Sequence, residues 1–355
     1  MGSIERVDRP KPWRAVYRGP DRRKHSKSFA RKIDAERWLK VSEAEALTGQ
    51  WVDPTAGAKL FGPYAEEWIA HKRSAVGETT ATNIESLLRA RVLPEFEAKQ
   101  LKQITTPDAR RWLAAMTEEG LSASTVHTYR KVLAQVLDQA VDDGLIASNP
   151  AKKAKAPSPR PRRQLFLTAS ELRELADECG SYAPLVWFLG WSGLRFGEAT
   201  ALRVGRVDPA RRRVRVEEGA TEVGGRLVFD LPKTHEARTV IVPRFVIEAI
   251  KPLLDDKHAD ALVFTAPRGG PMRLNNFRRR VVAPAAERIG KPGLVPHDLR
   301  DTAASLAISS GASIKAVQRM LGHASAKMTL DVYGSLFEED LEALADRIEE
   351  RYDNL

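Results

Sequence analysis

Apolar and polar positions alternate in two stretches near the start of the chain, residues 13–17 and 25–29, with Gly19-Pro20-Asp21 between them. A period of two predicts strands, and the Gly-Pro-Asp cluster predicts a turn. Asp34 follows as the expected cap of a helix that directs Trp38, Val41 and Leu47 toward a small core. Glycine and proline between residues 53 and 62 predict a hinge, and beyond it the period becomes helical. Phe61, Tyr64, Trp68 and Ile69 open this region, and Thr106-Pro107 supplies a cap and first position for a helix bearing Trp112, Leu113 and Met116. The plainest helix follows, with Val126, Tyr129, Val132, Leu133, Val136, Leu137, Ala140 and Val141 at spacings of three and four. Its other face shows His127, Arg130 and Lys131, and Gly144 is placed to end it.

Asn149-Pro150 stops the helical region. Residues 151–164 carry six Lys or Arg, three Pro and no acid, which predicts an extended basic linker. Thr168 and Glu171 then form a capping box that opens a third region. Cys179 shares a helix face with Leu172 and Leu175 and reads as a small buried hydrophobe. Residues 226–231 and 238–242 alternate as strands with Lys233 in the turn between them, and residues 336–352 form an acidic helix with Leu341, Leu344 and Ile348 on one face. The expected organisation is therefore α+β. A basic β-ribbon and helix occupy residues 1–58, a helical domain residues 59–150, a linker residues 151–164, and a mixed, mainly α domain residues 165–355.

Composition narrows the partner. A chain of 355 residues is too long for one ordinary core, and 43% hydrophobic residues with seven Trp supply enough apolar surface for two or three. The formal charge of +10 points to a polyanion. No apolar run is as long as a membrane span and the start lacks a secretory h-region, so nucleic acid is preferred to a membrane and a cytoplasmic location is expected. One cysteine excludes an internal disulfide and a multi-cysteine zinc site. The charge is uneven: the first 40 residues hold 13 Lys or Arg against five acids, a net +8. Arg14, Arg18, Arg22, Arg23, Lys24 and Lys27 are the candidates there for contacting DNA with a β-ribbon. Arg130, Lys131, Lys152, Lys153, Arg162 and Arg163 are further candidates for tracking phosphates. Plain solvation of a charged surface explains the same residues.

Candidate chemistry gathers in the third region. Arg195 follows the Gly193 break at the head of a short helix, where backbone N–H groups favour an anion. His297 and Arg300 lie three apart at a helix start, which places them on one face. Gly322 is the expected cap of a helix over Ile314–Leu321, His323 follows it, and Tyr333 comes ten residues later. Each residue alone admits a structural role. Arg195 has Glu198 as an ion-pair partner, Lys233 suits a solvated turn, His323 suits a cap, and Tyr333 suits a core aromatic with a satisfied hydroxyl.

The ordered set Arg195, Lys233, His297, Arg300, His323 and Tyr333 resembles the tyrosine recombinase family, which includes the phage integrases. The local contexts Gly193-Leu194-Arg195 with Glu198, Pro296-His297-Asp298-Leu299-Arg300, and Leu321-Gly322-His323 are similar to the family's as well. The likeness covers residues 165–337 and extends to the helical module, and the basic N-terminal module looks like an arm-site binding domain. Asp301 departs from it, since many relatives carry a second His there. The resemblance implies a site-specific recombinase that integrates, and excises, a phage or mobile-element genome through a covalent phosphotyrosine. Tyr333 is the implied nucleophile, with Arg195 and Arg300 as the transition-state clamp, His323 as a further donor, His297 as base, Lys233 as general acid and Glu198 as support. It implies no cofactor, metal or ATP, consistent with the lack of a nucleotide-binding phosphate loop. Implied partners are double-stranded DNA at attachment sites, a homotetramer on that DNA, and a host DNA-bending protein and an excision factor as accessory proteins. A non-catalytic DNA-binding relative and a metal-dependent nuclease are the rival readings.

Overall fold

The computed structural model describes residues 2–47, 51–53, 56–158, 164–230, 237–338 and 340–353. The chain divides into two compact units, Met1–Pro161 and Arg162–Leu355, and is α+β.

The first unit begins with a three-stranded antiparallel sheet, Ser3–Arg6, Trp13–Arg18 and Lys24–Phe29, with Trp13–Arg18 in the middle. The two-stranded expectation missed the first strand, whose four residues carry one apolar side chain and no clear alternation. Ala15 and Tyr17 are buried toward the helix Lys32–Leu47, and Trp38 meets the Tyr17 ring edge-on at 5.3 Å. Ala35 and Ser42 are the buried positions of that helix. Their seven-residue spacing puts them on one line, and Val41 lies well off it. Val41 and Leu47 are exposed, contrary to expectation. Asp34 sits inside the first turn, bound by Arg31, and does not cap it.

The helical part packs Phe61–Ala75, Glu78–Leu87, Thr106–Glu118 and Ala123–Asp142 around Phe61, Trp68, Phe96, Trp112, Leu133 and Leu137. The expected hinge ends in this core, because Phe61 and Gly62 already form its buried edge. Thr105, one residue earlier than expected, is the cap of the Trp112 helix and exchanges hydrogen bonds with Asp108. The linker reading is also corrected at its start. Pro150–Lys153 is a helical turn capped by Asn149, and Ala151 and Ala154 are fully buried against the helical core. Small apolar side chains anchor this turn where the count of charges suggested solvent.

In the second unit, the capping box of Thr168 and Glu171 opens the helix Ala169–Glu178 as expected. The helix Ala183–Ser192 is apolar nearly all round and runs through the core with Leu172, Leu175, Val214, Val240, Val246 and Phe264 packed about it. Cys179 is buried there, and burial pushes its thiol up to about 12. Val207–Asp208, Arg213–Val216 and Arg238–Ile241 form one antiparallel sheet, while Gly219–Val223 pairs with Arg226–Asp230 in a separate hairpin. The two strands expected to flank Lys233 therefore belong to different sheets. A smaller cluster of Ala304, Ile308, Val317, Leu321 and Tyr333 joins the helices Asp298–Ser309, Ile314–Leu321 and Ala326–Glu338. The acidic helix expected from residue 336 begins at Asp340, since the helix carrying Tyr333 runs on to Glu338. Ile348 on it is exposed.

Candidate active site

Gly193 ends the helix Ala183–Ser192 in the left-handed conformation, φ +68°, a position glycine takes without the strain of a Cβ. The chain then turns extended at Arg195, which caps the short helix Phe196–Ala201. Arg195 donates its backbone N–H and a guanidinium N–H to the two carboxylate oxygens of Glu198, each at 2.9 Å. Arg238 reaches the same carboxylate with two hydrogen bonds of 2.9 and 2.7 Å. Glu198 is only 4% exposed. Burial alone would raise its pKa, but the bonds and charge of Arg238, followed by those of Arg195, outweigh burial and hold it down at about 2. One carboxylate thus orients two guanidinium groups and neutralises one of them.

Arg300 is buried on the helix Asp298–Ser309. It donates to the carbonyl of Gly193 and, at 2.6 Å, to that of Leu321, tying together two helix ends that carry site residues. Burial, then the neighbouring charge of Arg195, lowers its pKa to about 10, so it remains cationic at neutral pH. Gly322 closes the helix Ile314–Leu321 at φ +66°, and a Cβ there would lie 2.8 Å from Cδ and Nε of Arg238. Glycine is required twice over, for the turn and for the close approach.

His323 comes next. Its Nδ1 is 3.0 Å from the Thr329 hydroxyl, and its ring lies nearly parallel to that of Tyr333, with centroids 6.4 Å apart. Burial first, then the charges of Arg300 and Arg195, lower its pKa to about 4, so the ring is neutral at pH 7. Tyr333 is 1% exposed, and its hydroxyl donates to Oδ1 of Asp301 at 2.6 Å. Burial and this carboxylate raise the phenol above its ordinary value, and Arg300 opposes them.

The phage integrase family model matches residues 166–339, the phage integrase central domain residues 61–157, and the phage integrase N-terminal domain residues 2–48. The integrase of Mycobacterium phage D29 is 31% identical over 321 residues, covering 86% of this chain and 84% of the relative. The chain belongs to the phage integrase family. Two solved structures have the same fold. One is the Tn1549 transposon integrase in complex with a circular intermediate DNA, with TM-score 0.68, 21% identity, and 77% of this chain and 95% of that one covered. The other is a lambda integrase tetramer bound to a Holliday junction, with TM-score 0.58, 17% identity, and 91% and 96% covered.

Within this family member, Arg195, Arg300, His323 and Tyr333 come together as the motif implied. His297 does not join them in the same way. It stands at the N-terminus of its helix with an exposed side chain while Arg300 is buried, and the hydroxyl of Tyr333 goes to Asp301. His297 has helical backbone angles, φ −70° and ψ −30°, and its carbonyl accepts from the N–H groups of Arg300 and Asp301, so the three-residue spacing holds and only the exposure of the two side chains differs. Lys233, Arg162 and Arg163 lie outside the described residues. Arg14, Arg18, Arg22, Arg23, Lys24 and Lys27 are all exposed, and Arg14, Arg18 and Lys24 share the sheet face away from the helix. Arg130 is half-buried and donates to the carbonyl of Ala151 at 3.2 Å, so it ties the fold together, whereas Lys131 is exposed. Lys152 pairs with Asp138 at 2.7 Å and Lys153 donates to Ser148 at 3.3 Å.

Sequence reasoning missed three site residues. Thr329 lies one helical turn before Tyr333 and is fully buried. Asp301 was visible only as a departure from the family pattern. Arg238 carried a usable signal: it shares strand parity with Val240 and Val242, both buried, so its side chain had to face inward.

Proposed function

We propose that this chain cuts and rejoins DNA strands at specific sites through a covalent phosphotyrosine at Tyr333. The observation that carries this is the convergence of three guanidinium groups, a neutral imidazole and a tyrosine from five separate segments of one unit, close enough to shift one another's ionisation. Such a site suits a phosphodiester. In cleavage, the Tyr333 oxygen bonds to phosphorus and the bond to the 5′-oxygen breaks. The phenol loses its proton and the departing 5′-oxygen gains one. The bond energy stays in the phosphotyrosine, and attack by another strand's 5′-hydroxyl reverses the step. Arg195 and Arg300 are suited to match the charge that grows on the non-bridging oxygens. His323, held through Nδ1, has Nε2 left to donate a further hydrogen bond. Glu198, itself held by Arg238, orients Arg195. His297, exposed at its helix head, is the proposed base, and Lys233 the proposed acid.

Exchange between two duplexes requires four cleavages, which suits a homotetramer on double-stranded DNA in the host cytoplasm. The N-terminal sheet module would bind arm sites and the helical module core sites of a phage or mobile element. A host DNA-bending protein and an excision factor complete the proposed set of partners.

The test is adduct trapping on nicked core-site DNA, whose cleaved fragment diffuses away and leaves the protein attached. Tyr333→Phe keeps the ring and its packing, so it should bind this DNA as wild type does and form no adduct. A trapped adduct in Tyr333→Phe would remove Tyr333 from the role.

A further inference from the structure

We infer that Asp301 is a positioning residue that pins the Tyr333 hydroxyl as a hydrogen-bond donor in the resting enzyme, a catch that must open before the oxygen can attack phosphorus. The inference rests on Tyr333 being the nucleophile, as proposed above. It goes beyond that reading because the resemblance assigns Asp301 no role.

A phenol has one proton to give, and here it is given to Oδ1 of Asp301 at 2.6 Å. Both groups are buried, Tyr333 at 1% and Asp301 at 6% exposure, so water does not compete for the bond. A charged acceptor in such surroundings makes one of the stronger protein hydrogen bonds. The carboxylate also works against attack in two ways. It favours the neutral phenol over the phenoxide, and it sets a negative charge beside the oxygen that an anionic phosphate must approach.

The two partners are held separately. Asp301 belongs to the buried face of the helix Asp298–Ser309, which Arg300 anchors to the carbonyls of Gly193 and Leu321. Tyr333 belongs to the helix Ala326–Glu338, with the His323 ring stacked on it and Phe166 tilted against it at 6.4 Å. The charged groups that act on the hydroxyl are Asp301, which holds the proton on, and Arg300, which favours its loss. His323, neutral at pH 7, lies parallel to the Tyr333 ring and feels the charges of Arg300, Arg195 and Arg238. Opening the catch therefore means moving one helix relative to the other, or displacing Asp301 by the phosphate that the arginines attract. The group placed to hold the nucleophile back is thus one residue from the group placed to stabilise its transition state.

Asp301→Asn keeps the shape and removes the charge, and Asp301→Ala removes the bond. Two readouts on the full-length chain test the catch. The first is single-turnover adduct formation on nicked core-site DNA as a function of pH. The second is the titration of Tyr333 followed by fluorine NMR on fluorotyrosine-labelled protein, with the Tyr333 signal assigned as the one missing in Tyr333→Phe. The catch predicts that Tyr333 titrates at lower pH in Asp301→Asn. It also predicts adduct formation faster by about tenfold, the scale of one charged hydrogen bond, and a pH profile displaced downward. Asp301→Ala should behave alike in the titration. An unchanged titration in both variants, or adduct formation unchanged or slower while Tyr333→Phe forms none, overturns the catch alone. An adduct persisting in Tyr333→Phe overturns the nucleophile assignment and the catch with it.

Discussion

The N-terminal sheet and the Glu198 cluster are both rich in arginine, and they use it in opposite ways. On the sheet, Arg14, Arg18, Arg22 and Arg23 stand in solvent on strands and a turn. In the cluster, Arg238 and Arg300 are largely buried, and every guanidinium has its direction set by a carboxylate or a backbone carbonyl. Exposed cations attract a polyanion from a distance and hold it through released counterions, so their number matters more than their aim. Buried cations have already lost their water, and each is retained only because its partners replace that water in a fixed geometry. The same side chain therefore contributes graded affinity in one place and all-or-none geometry in the other. If this contrast is right, substitutions in the two regions must differ in size and in kind.

The largest effect is expected from Arg300→Lys. It keeps the charge but cannot reach the Gly193 and Leu321 carbonyls together. Single-turnover cleavage should fall by ~10²–10³-fold, the usual cost of one oriented transition-state donor, and denaturant unfolding should show a loss of ~1–3 kcal/mol for a buried acceptor left unpaired. Retention of cleavage within about tenfold would break the comparison, since charge alone would then suffice.

Glu198→Gln should come next, through stability. Removing the charge of the carboxylate that Arg195 and Arg238 share leaves the two guanidinium groups facing each other, at a cost of ~3 kcal/mol. The pH dependence has a definite sign. The folded carboxyl is held at about 2, below its ordinary value of 4.5. Its stabilisation is fully present above pH 4.5 and disappears as pH falls toward about 2. Unfolding curves of wild type and Glu198→Gln should therefore converge across that window. A gap constant from pH 6 to 2 would show that the carboxylate's charge is not what holds the two arginines.

The smallest effect belongs to the sheet. Arg14→Ala should change stability by no more than ~0.5 kcal/mol and leave core-site cleavage intact. Binding to DNA carrying the proposed arm site should weaken, with a slope against log salt smaller by about one. A loss of cleavage comparable to Arg300→Lys would mean that the sheet residues act by geometry too.

What could be read from the chain beforehand follows the same division between local and distant causes. The capping box at Thr168 and Glu171, the glycine stops at Gly193 and Gly322, and the helices carrying Trp112 and Val132 were all legible. Each depends on residues three or four apart, whose interactions form whatever the rest of the chain does. Misreadings arose where side chains made the choice between equal local options. Val41 matched a helical spacing, but the sheet selected the line through Ala35 and Ser42. Pro150–Lys153 read as linker, but a buried alanine on each side of its lysines decided otherwise.

By itself the sequence determined the family, the order of the candidate site residues along the chain, and that Arg195 heads one short helix while His323 follows another, because these are properties of neighbours. Only the tertiary structure decided that Arg238 would share Glu198 with Arg195 and that Arg300 would span two helix ends 107 and 21 residues away in the chain. It likewise decided that Tyr333 would meet Asp301, 32 residues back, with His297 left exposed. Contacts of that kind are set by which helices pack together and at what register. That choice belongs to the whole core of the unit, which no segment of the chain encodes alone.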